Sequence, residues 1–174
     1  SINPSYLNTY VNLGHYYKTI GENDKSVYYF SEALKLNPNH IESYVNIAQD
    51  YLSRSDYNKA LEYYKKVIDI YPGFSDCYIR IAEIYKNRGN YQEAKKYLYK
   101  AQIADKSNVW AYDVLADISR REGDYENVID YYRKINNYNP SNVHSYINLG
   151  HFYRGQGKKD KAIESFQNAI QYDK

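Results

Sequence analysis

The 174-residue sequence has no methionine, one cysteine (Cys77) and one tryptophan (Trp110). A lone cysteine cannot form an intrachain disulfide, which favours a reducing, intracellular environment, cytoplasmic or nuclear. No stretch of about 18 residues is free of charge, so we expect no membrane-spanning helix. The N-terminal residues also lack the basic-then-apolar order of a signal peptide.

Neither sign of charge is in excess, since 23 Lys and Arg oppose 21 Asp and Glu for a net charge of +2. This balance does not indicate nucleic-acid binding. The histidines have no metal-ligand spacing, and "GQGKKDK" at 155–161 lacks the strand that precedes a phosphate-binding loop. We therefore expect no catalytic activity, no cofactor and no metal.

The sequence is rich in tyrosine, with 25 residues, many of which recur at a fixed interval. The phrase "YVNLG" at 10–14 returns as "YVNIA" at 44–48, 34 residues later, and as "YINLG" at 146–150. Repetition with this period indicates an array of supersecondary units. The prolines follow the same interval, at Pro4, Pro38, Pro72 and Pro140.

Aligned on this interval, residues 1–174 form a single array of five units, each divided by a polar break that contains Gly or Ser. Apolar spacings of three and four within a unit indicate two helices, A and B, each with one buried face. One unit cannot bury that face alone, so neighbouring units are expected to stack into a solenoid. The units are 7–40, 41–74, 75–108, 109–142 and 143–174.

The aligned columns resemble the tetratricopeptide repeat, which has a large aromatic, Leu-Gly and Tyr in helix A, then Ala, Phe and Ala in helix B before a proline. The resemblance covers essentially the whole chain. It implies an all-α fold, a right-handed solenoid of antiparallel helix pairs in which the A helices line a concave groove. Unit 4 departs most, with Ser119, Val128 and Ile135 at expected Tyr and Ala positions, so we expect looser or slightly shifted packing there.

The resemblance also implies which helix A positions enter the groove, and the asparagine of the repeated phrase is one of them. A primary amide can donate to and accept from a peptide backbone. We therefore predict that the groove binds an extended or helical peptide segment, as similar asparagines do in the repeat regions of O-linked N-acetylglucosamine transferases. The alternative is that these asparagines are solvated residues in an Asn-rich protein. The predicted site comprises Asn12, Asn46, Asn148, Arg80, His15, Gln49, Trp110 and His151.

The groove is also expected to have an acidic centre and a basic edge. Family members that hold acidic chaperone tails need a lysine where this chain has Asp76, so we disfavour that partner. The acidic centre would consist of Glu42, Asp76, Glu83, Asp113 and Asp117. The basic edge would consist of Lys18, Lys86, Arg120, Arg121 and Arg154.

The ends suggest an excerpt of a longer array, since "SINPSY" at 1–6 resembles "KLNPNH" at 35–40, the tail of a unit. We expect self-association through the last helix, where Ile163, Phe166, Ala169 and Ile170 would be partly exposed.

The predicted function is a non-catalytic interaction scaffold whose partner is a protein or peptide, and neither nucleic acid nor a membrane. Two alternatives stay open: the substrate-recruiting array of a larger enzyme, such as a glycosyltransferase, and a solenoid subunit of a multiprotein complex.

Overall fold

The computed structural model describes residues 4–173, and this part of the chain folds into α-helices without a strand. The predicted all-α class is therefore confirmed. The ten helices are α1 (Pro4–Thr19), α2 (Asn23–Leu36), α3 (Ile41–Ser53), α4 (Tyr57–Ile70), α5 (Ser75–Asn87), α6 (Tyr91–Ala104), α7 (Val109–Glu122), α8 (Tyr125–Tyr138), α9 (Val143–Gly155) and α10 (Lys159–Tyr172).

The helices pack in chain order. Each odd-numbered helix forms a hairpin with the helix that follows it, and each even-numbered helix packs against the next hairpin. This is the predicted solenoid of helix pairs. Over residues 4–173, no helix is both long and apolar enough to cross a membrane.

The turn inside each hairpin contains one residue in the left-handed conformation, at the same position of every unit. Glycine adopts this conformation without steric cost. Unit 2 departs from the glycine pattern, because Ser55 occupies the position with φ of 60°. The other four units have Gly21, Gly89, Gly123 and Gly157, with φ between 70° and 79°.

Three of the four periodic prolines follow a B helix, as the repeat predicts, whereas Pro4 opens α1. Proline fits there because the first turn of a helix has no partner for its N–H groups. Residues 1–3 of "SINPSY" lie outside the described residues.

Of the looser or slightly shifted packing expected in unit 4, the looser packing is not found, whereas an aromatic contact is shifted. Ser119, Val128 and Ile135 are all at least 97% buried. In units 1 to 3 a helix A tyrosine, such as Tyr51, stacks on a helix B tyrosine. Where unit 4 has Ser119 instead, Tyr138 stacks on Tyr112 at 5.7 Å.

The last helix is exposed at two of the four expected positions, Ile163 (45%) and Ile170 (73%). Phe166 is half-buried. The expectation for Ala169 is wrong, because it is only 5% exposed and its column is buried in every unit. Self-association through α10 stays a prediction.

Candidate functional site

An open cavity of about 640 Å³ lies along the odd-numbered helices α5, α7 and α9. A second cavity of about 320 Å³ adjoins it and shares three lining residues with it: Trp110, Asp113 and Asn148. We call the surface that contains both cavities the α5–α9 groove. The aromatic and apolar residues of the larger cavity are Trp110, Val114, Tyr125, Tyr132 and Phe152, and its carboxylates are Glu83, Asp113 and Asp117.

Three of the eight predicted site residues line the larger cavity: Trp110, Asn148 and His151. Asn148 Nδ2 donates to Asp113 Oδ1 at 3.4 Å, and Tyr132 lines the same cavity. The imidazole of His151 lies edge-on to a phenylalanine ring of α10, with 5.2 Å between the ring centres. The C-terminal units therefore bring one predicted asparagine to an aromatic-walled cavity.

Arg80, a fourth predicted residue, joins this wall from the preceding unit. Its guanidinium carbon lies 4.1 Å from the centre of the Trp110 ring, a cation–π contact. The same guanidinium pairs with Glu83 at 3.2 Å. Arg80, Glu83 and Trp110 thus form one connected group across the α5–α7 junction.

Asn46 and Gln49 connect units instead of lining the cavity. The Asn46 side chain is 8% exposed; its Nδ2 donates to the Glu42 carbonyl at 2.9 Å and its Oδ1 accepts from Lys18 Nζ at 2.8 Å. Lys18 Nζ also donates to Gln49 Oε1 at 2.7 Å and lies 3.9 Å from the buried Asp50. The Asn46 amide therefore has both its ends occupied within the protein.

The remaining two predicted residues, Asn12 and His15, belong to unit 1. Asn12 is exposed, and none of the described residues hydrogen-bonds its side chain. His15 Nε2 lies 2.8 Å from Glu42 Oε1 of the next unit. The three asparagines of the repeated phrase are thus in three different environments: solvent, a junction between units and the cavity.

Ion pairs on Asp117 connect part of the predicted acidic centre to residues of the predicted basic edge. Lys86 Nζ donates to Asp117 Oδ2 at 3.1 Å, and Arg120 and Arg121 pair with the same carboxylate at 2.7 and 3.2 Å. Burial raises the pKa of Asp117, but the hydrogen bonds from Lys86 and Arg120 outweigh it and hold this pKa below its usual value. The Asp117 carboxylate is therefore ionised, and it already pairs with three cationic side chains.

Asp113 and Glu83 differ from Asp117. Burial raises the pKa of Glu83, and the charges of Arg80 and Lys86 oppose that rise. Burial, followed by the charge of Asp117, raises the pKa of Asp113. Asp113 forms no salt bridge with any residue in the described part of the chain.

The other potentially reactive side chains form neither a metal site nor an activated nucleophile in the described part of the chain. Within residues 4–173, no group of three or more His, Cys, Asp and Glu could hold a metal ion. Cys77 is 2% exposed, and burial raises its pKa to about 12, so the thiol stays protonated at neutral pH.

Sequence analysis missed the role of Lys18, although a signal for it was present. Lysine occurs at the same helix A position in units 1 and 3, as Lys18 and Lys86. Each reaches a polar residue 31 positions later, Gln49 or Asp117. A search for polar pairs at that separation would have found both links between units.

Comparison with protein families assigns most of the chain to one repeat type. Four family models, each described as tetratricopeptide repeat, match residues 5–73, 51–117, 111–135 and 143–174. No curated protein sequence matches the chain significantly.

Several solved structures are similar over almost the whole chain. MamA is 22% identical, with 98% of this chain and 93% of that one covered and a TM-score of 0.76. YrrB, described as a TPR protein with an unusual peptide-binding site, is 17% identical, with 94% and 84% covered and a TM-score of 0.66. PilF of Pseudomonas aeruginosa is 14% identical, with 98% and 78% covered and a TM-score of 0.80. At these identities the likeness shows the fold.

Proposed function

Since this chain belongs to the tetratricopeptide repeat family, we propose that it is a non-catalytic scaffold that binds a peptide segment of a partner protein in the α5–α9 groove. The observation that carries the proposal is the open cavity of about 640 Å³ along α5, α7 and α9. Its lining combines four aromatic rings with a larger number of polar and charged side chains, which suits a polar peptide segment better than an apolar ligand.

The size of the groove suits a short extended segment. Helices that pack side by side lie about 8–10 Å apart, and an extended chain advances about 3.3–3.6 Å per residue. The distance from α5 to α9 therefore corresponds to roughly five residues of peptide. Trp110 is the residue type most enriched among binding hot spots, and it lies between the two cavities.

Asn148 is the asparagine best placed to hold a peptide backbone, because it is the one that lines the cavity. Asn46 is committed to Lys18 and to its own helix. We therefore replace the predicted ladder of three asparagines with a single amide in the C-terminal units. YrrB, a TPR protein with an unusual peptide-binding site, supports the same class of ligand.

Two apolar side chains on α6 favour a second function, that of a subunit in a larger assembly. Ile103 is 82% exposed and Tyr99 is 49% exposed. A partner that packs on the even-numbered helices would cover both. The role of recruiting array in a larger enzyme stays a prediction.

Panning a random peptide-display library on the parent, Asn148→Ala and Asn12→Ala tests the proposal. Asn12 is the matched control, since it is an exposed asparagine in the same column outside the groove. Peptides should enrich on the parent and on Asn12→Ala, with at least about a tenfold loss on Asn148→Ala, because a lost hydrogen bond leaves a buried polar partner unsatisfied. Equal enrichment on all three proteins would indicate that peptides bind outside the groove. The next variant to test would then be Ile103→Lys, on the exposed face of α6.

A further inference from the structure

Asp113 is the carboxylate of the larger cavity that forms no ion pair with any described residue. Its side chain lines both cavities, so there is open space on two sides of it. Among the described residues, its one hydrogen bond is the long 3.4 Å contact from the Asn148 amide. An ionised carboxylate can accept about four hydrogen bonds, so Asp113 has unused acceptor capacity that faces open space.

The other two carboxylates of the larger cavity already have cations. Arg80 pairs with Glu83 at 3.2 Å. Lys86 pairs with Asp117 at 3.1 Å, in addition to the two arginines on that carboxylate. Among the described residues, Asp113 is therefore the one carboxylate of this cavity without a cationic partner. A cationic group of a ligand would give Asp113 the kind of partner that the other two carboxylates already have.

The surroundings of Asp113 suit a planar cation. Trp110 lies one helical turn before Asp113 and lines both cavities with it, and the Tyr132 ring lines the larger one. The contact of 4.1 Å between Arg80 and Trp110 shows that this indole accepts a guanidinium within the protein itself. A guanidinium pairs with a carboxylate through two parallel hydrogen bonds and stacks on aromatic rings, whereas an ammonium is a point charge.

We propose that the α5–α9 groove recognises an arginine side chain of the bound peptide, whose guanidinium pairs with Asp113 beside Trp110 and Tyr132. The inference rests on the proposed peptide binding and adds to it a requirement for a basic residue. It also predicts that acidic peptides are rejected, since Lys86 and Arg120 are held by Asp117 and are not free to receive them.

The raised pKa of Asp113 is consistent with a carboxyl group that has no cationic partner until a ligand binds. Burial and the charge of Asp117 raise its pKa, while Lys86, Asn148 and His144 oppose that rise. Ionisation of this carboxyl is thus disfavoured in the free protein relative to an exposed aspartate. A guanidinium at hydrogen-bond distance would lower this pKa and favour the ionised form.

Tryptophan fluorescence provides the test, because Trp110 is the sole tryptophan and lies in the groove. The probes are three pools of capped pentapeptides with a central arginine, citrulline or glutamate and mixed neutral flanks. Citrulline keeps the shape of arginine and removes its charge. Each pool is titrated into the parent, Asp113→Asn and Asp69→Asn. Asp69 is the control, an exposed carboxylate of α4 whose replacement changes the net charge equally.

The arginine pool should bind the parent at least about tenfold more tightly than the citrulline pool, as expected for a charge-assisted hydrogen bond. This preference should vanish in Asp113→Asn and persist in Asp69→Asn. The comparison of arginine with citrulline uses the parent alone, so it stands even if a variant fails to fold.

Two results would overturn the inference and leave peptide binding intact: equal affinity for the arginine and citrulline pools, or a preference for glutamate. A parent protein whose fluorescence responds to none of the pools would contradict the proposed function as well. An arginine preference that survives in Asp113→Asn would assign the cation to another residue and overturn the role of Asp113.

Discussion

Gly14 of α1 lies so close to the buried Phe30 of α2 that a Cβ atom built on the glycine would be 2.8 Å from the ring. The last unit repeats the relationship, since a Cβ on Gly150 would lie 2.6 Å from Phe166. In units 2 to 4 the position holds alanine, and the helix B residue is tyrosine or leucine. The small residue of helix A and the large residue of helix B are therefore matched pair by pair.

Replacing Gly14 with alanine should destabilise the protein, because Phe30 is fully buried and cannot move away freely. Overpacking costs about 1–3 kcal/mol, and the better helix propensity of alanine returns about 1 kcal/mol of it. Chemical denaturation of Gly14→Ala should show the loss. The double variant Gly14→Ala, Phe30→Leu copies the Ala82 and Leu98 pair of unit 3. Its loss in free energy of unfolding should be smaller than the sum of the losses of the two single variants.

Gly155→Ala is the matched control for this prediction, because a Cβ on Gly155 meets no atom within 4 Å. Its free energy of unfolding should stay equal or rise. A loss in Gly155→Ala as large as that in Gly14→Ala would contradict the steric explanation.

Ser55→Gly should stabilise the protein by about 0.5–1 kcal/mol, because serine in the left-handed conformation is strained and glycine is not. Ser55 is exposed, so few side-chain contacts are lost. The reciprocal variant is Gly89→Ser, at the same turn position with φ of 75°. Thermal unfolding should show opposite shifts for the two variants, and shifts of the same sign would refute the conformational argument.

Asn46→Ala should cost about 1–2 kcal/mol of stability, because it leaves Lys18 with one hydrogen-bond acceptor fewer at the junction of units 1 and 2. Burial already lowers the pKa of Lys18, with the charge of Asp50 opposing this, so the ammonium depends on its partners. Asn12→Ala, in the same column but exposed, should be within about 0.5 kcal/mol of the parent. Urea denaturation of both variants separates a structural asparagine from a solvated one.

Tyr64→Phe should be neutral or stabilising by up to about 1 kcal/mol, since it removes a buried hydroxyl that costs free energy when unpaired. Within the described residues, the Tyr64 hydroxyl is buried and has no hydrogen-bond partner. Tyr112→Phe is the comparison, because that hydroxyl donates to the Lys106 carbonyl at 3.3 Å and its loss should destabilise. Denaturation midpoints that fall equally in both variants would show that the Tyr64 hydroxyl has a partner.

Asp113→Asn should gain stability over the parent as the pH rises. The pKa of Asp113 is raised in the folded protein, mainly by burial, so its favourable contribution is complete below the unfolded pKa of about 3.9 and is lost as pH rises through the folded value. Asparagine is neutral throughout and avoids that loss. Melting temperatures of parent and variant between pH 3 and about 7 should therefore diverge in favour of the variant.

Asp105→Asn provides a control of opposite sign. Hydrogen bonds from Ser107 lower the pKa of Asp105, so its contribution to stability is present above the unfolded pKa and is lost as pH falls. That variant should lose stability relative to the parent near neutral pH and match it in acid. A pH profile that is identical for the two variants would contradict both assignments.

The 34-residue interval was sufficient to predict the helices, because backbone pattern and buried columns repeat with each unit. The roles of individual groove residues could not be predicted in the same way. Asn12, Asn46 and Asn148 share one column, yet only Asn46 has a lysine, Lys18, in hydrogen-bond reach from the preceding unit. Unit 1 has no described unit before it, and unit 4 offers Asp113 to Asn148. The role of a residue at a given repeat position thus depends on which side chains the neighbouring unit places beside it.

Every hydrogen bond between described side chains joins residues within one unit or in adjacent units, and the longest separation is 35 residues, between Asp113 and Asn148. Chains whose contacts are this local fold fast, since little entropy is lost in closing each loop. During synthesis, each hairpin can therefore pack as soon as it leaves the ribosome, without waiting for a distant partner. Each new hairpin then covers the apolar face of the hairpin before it and exposes its own.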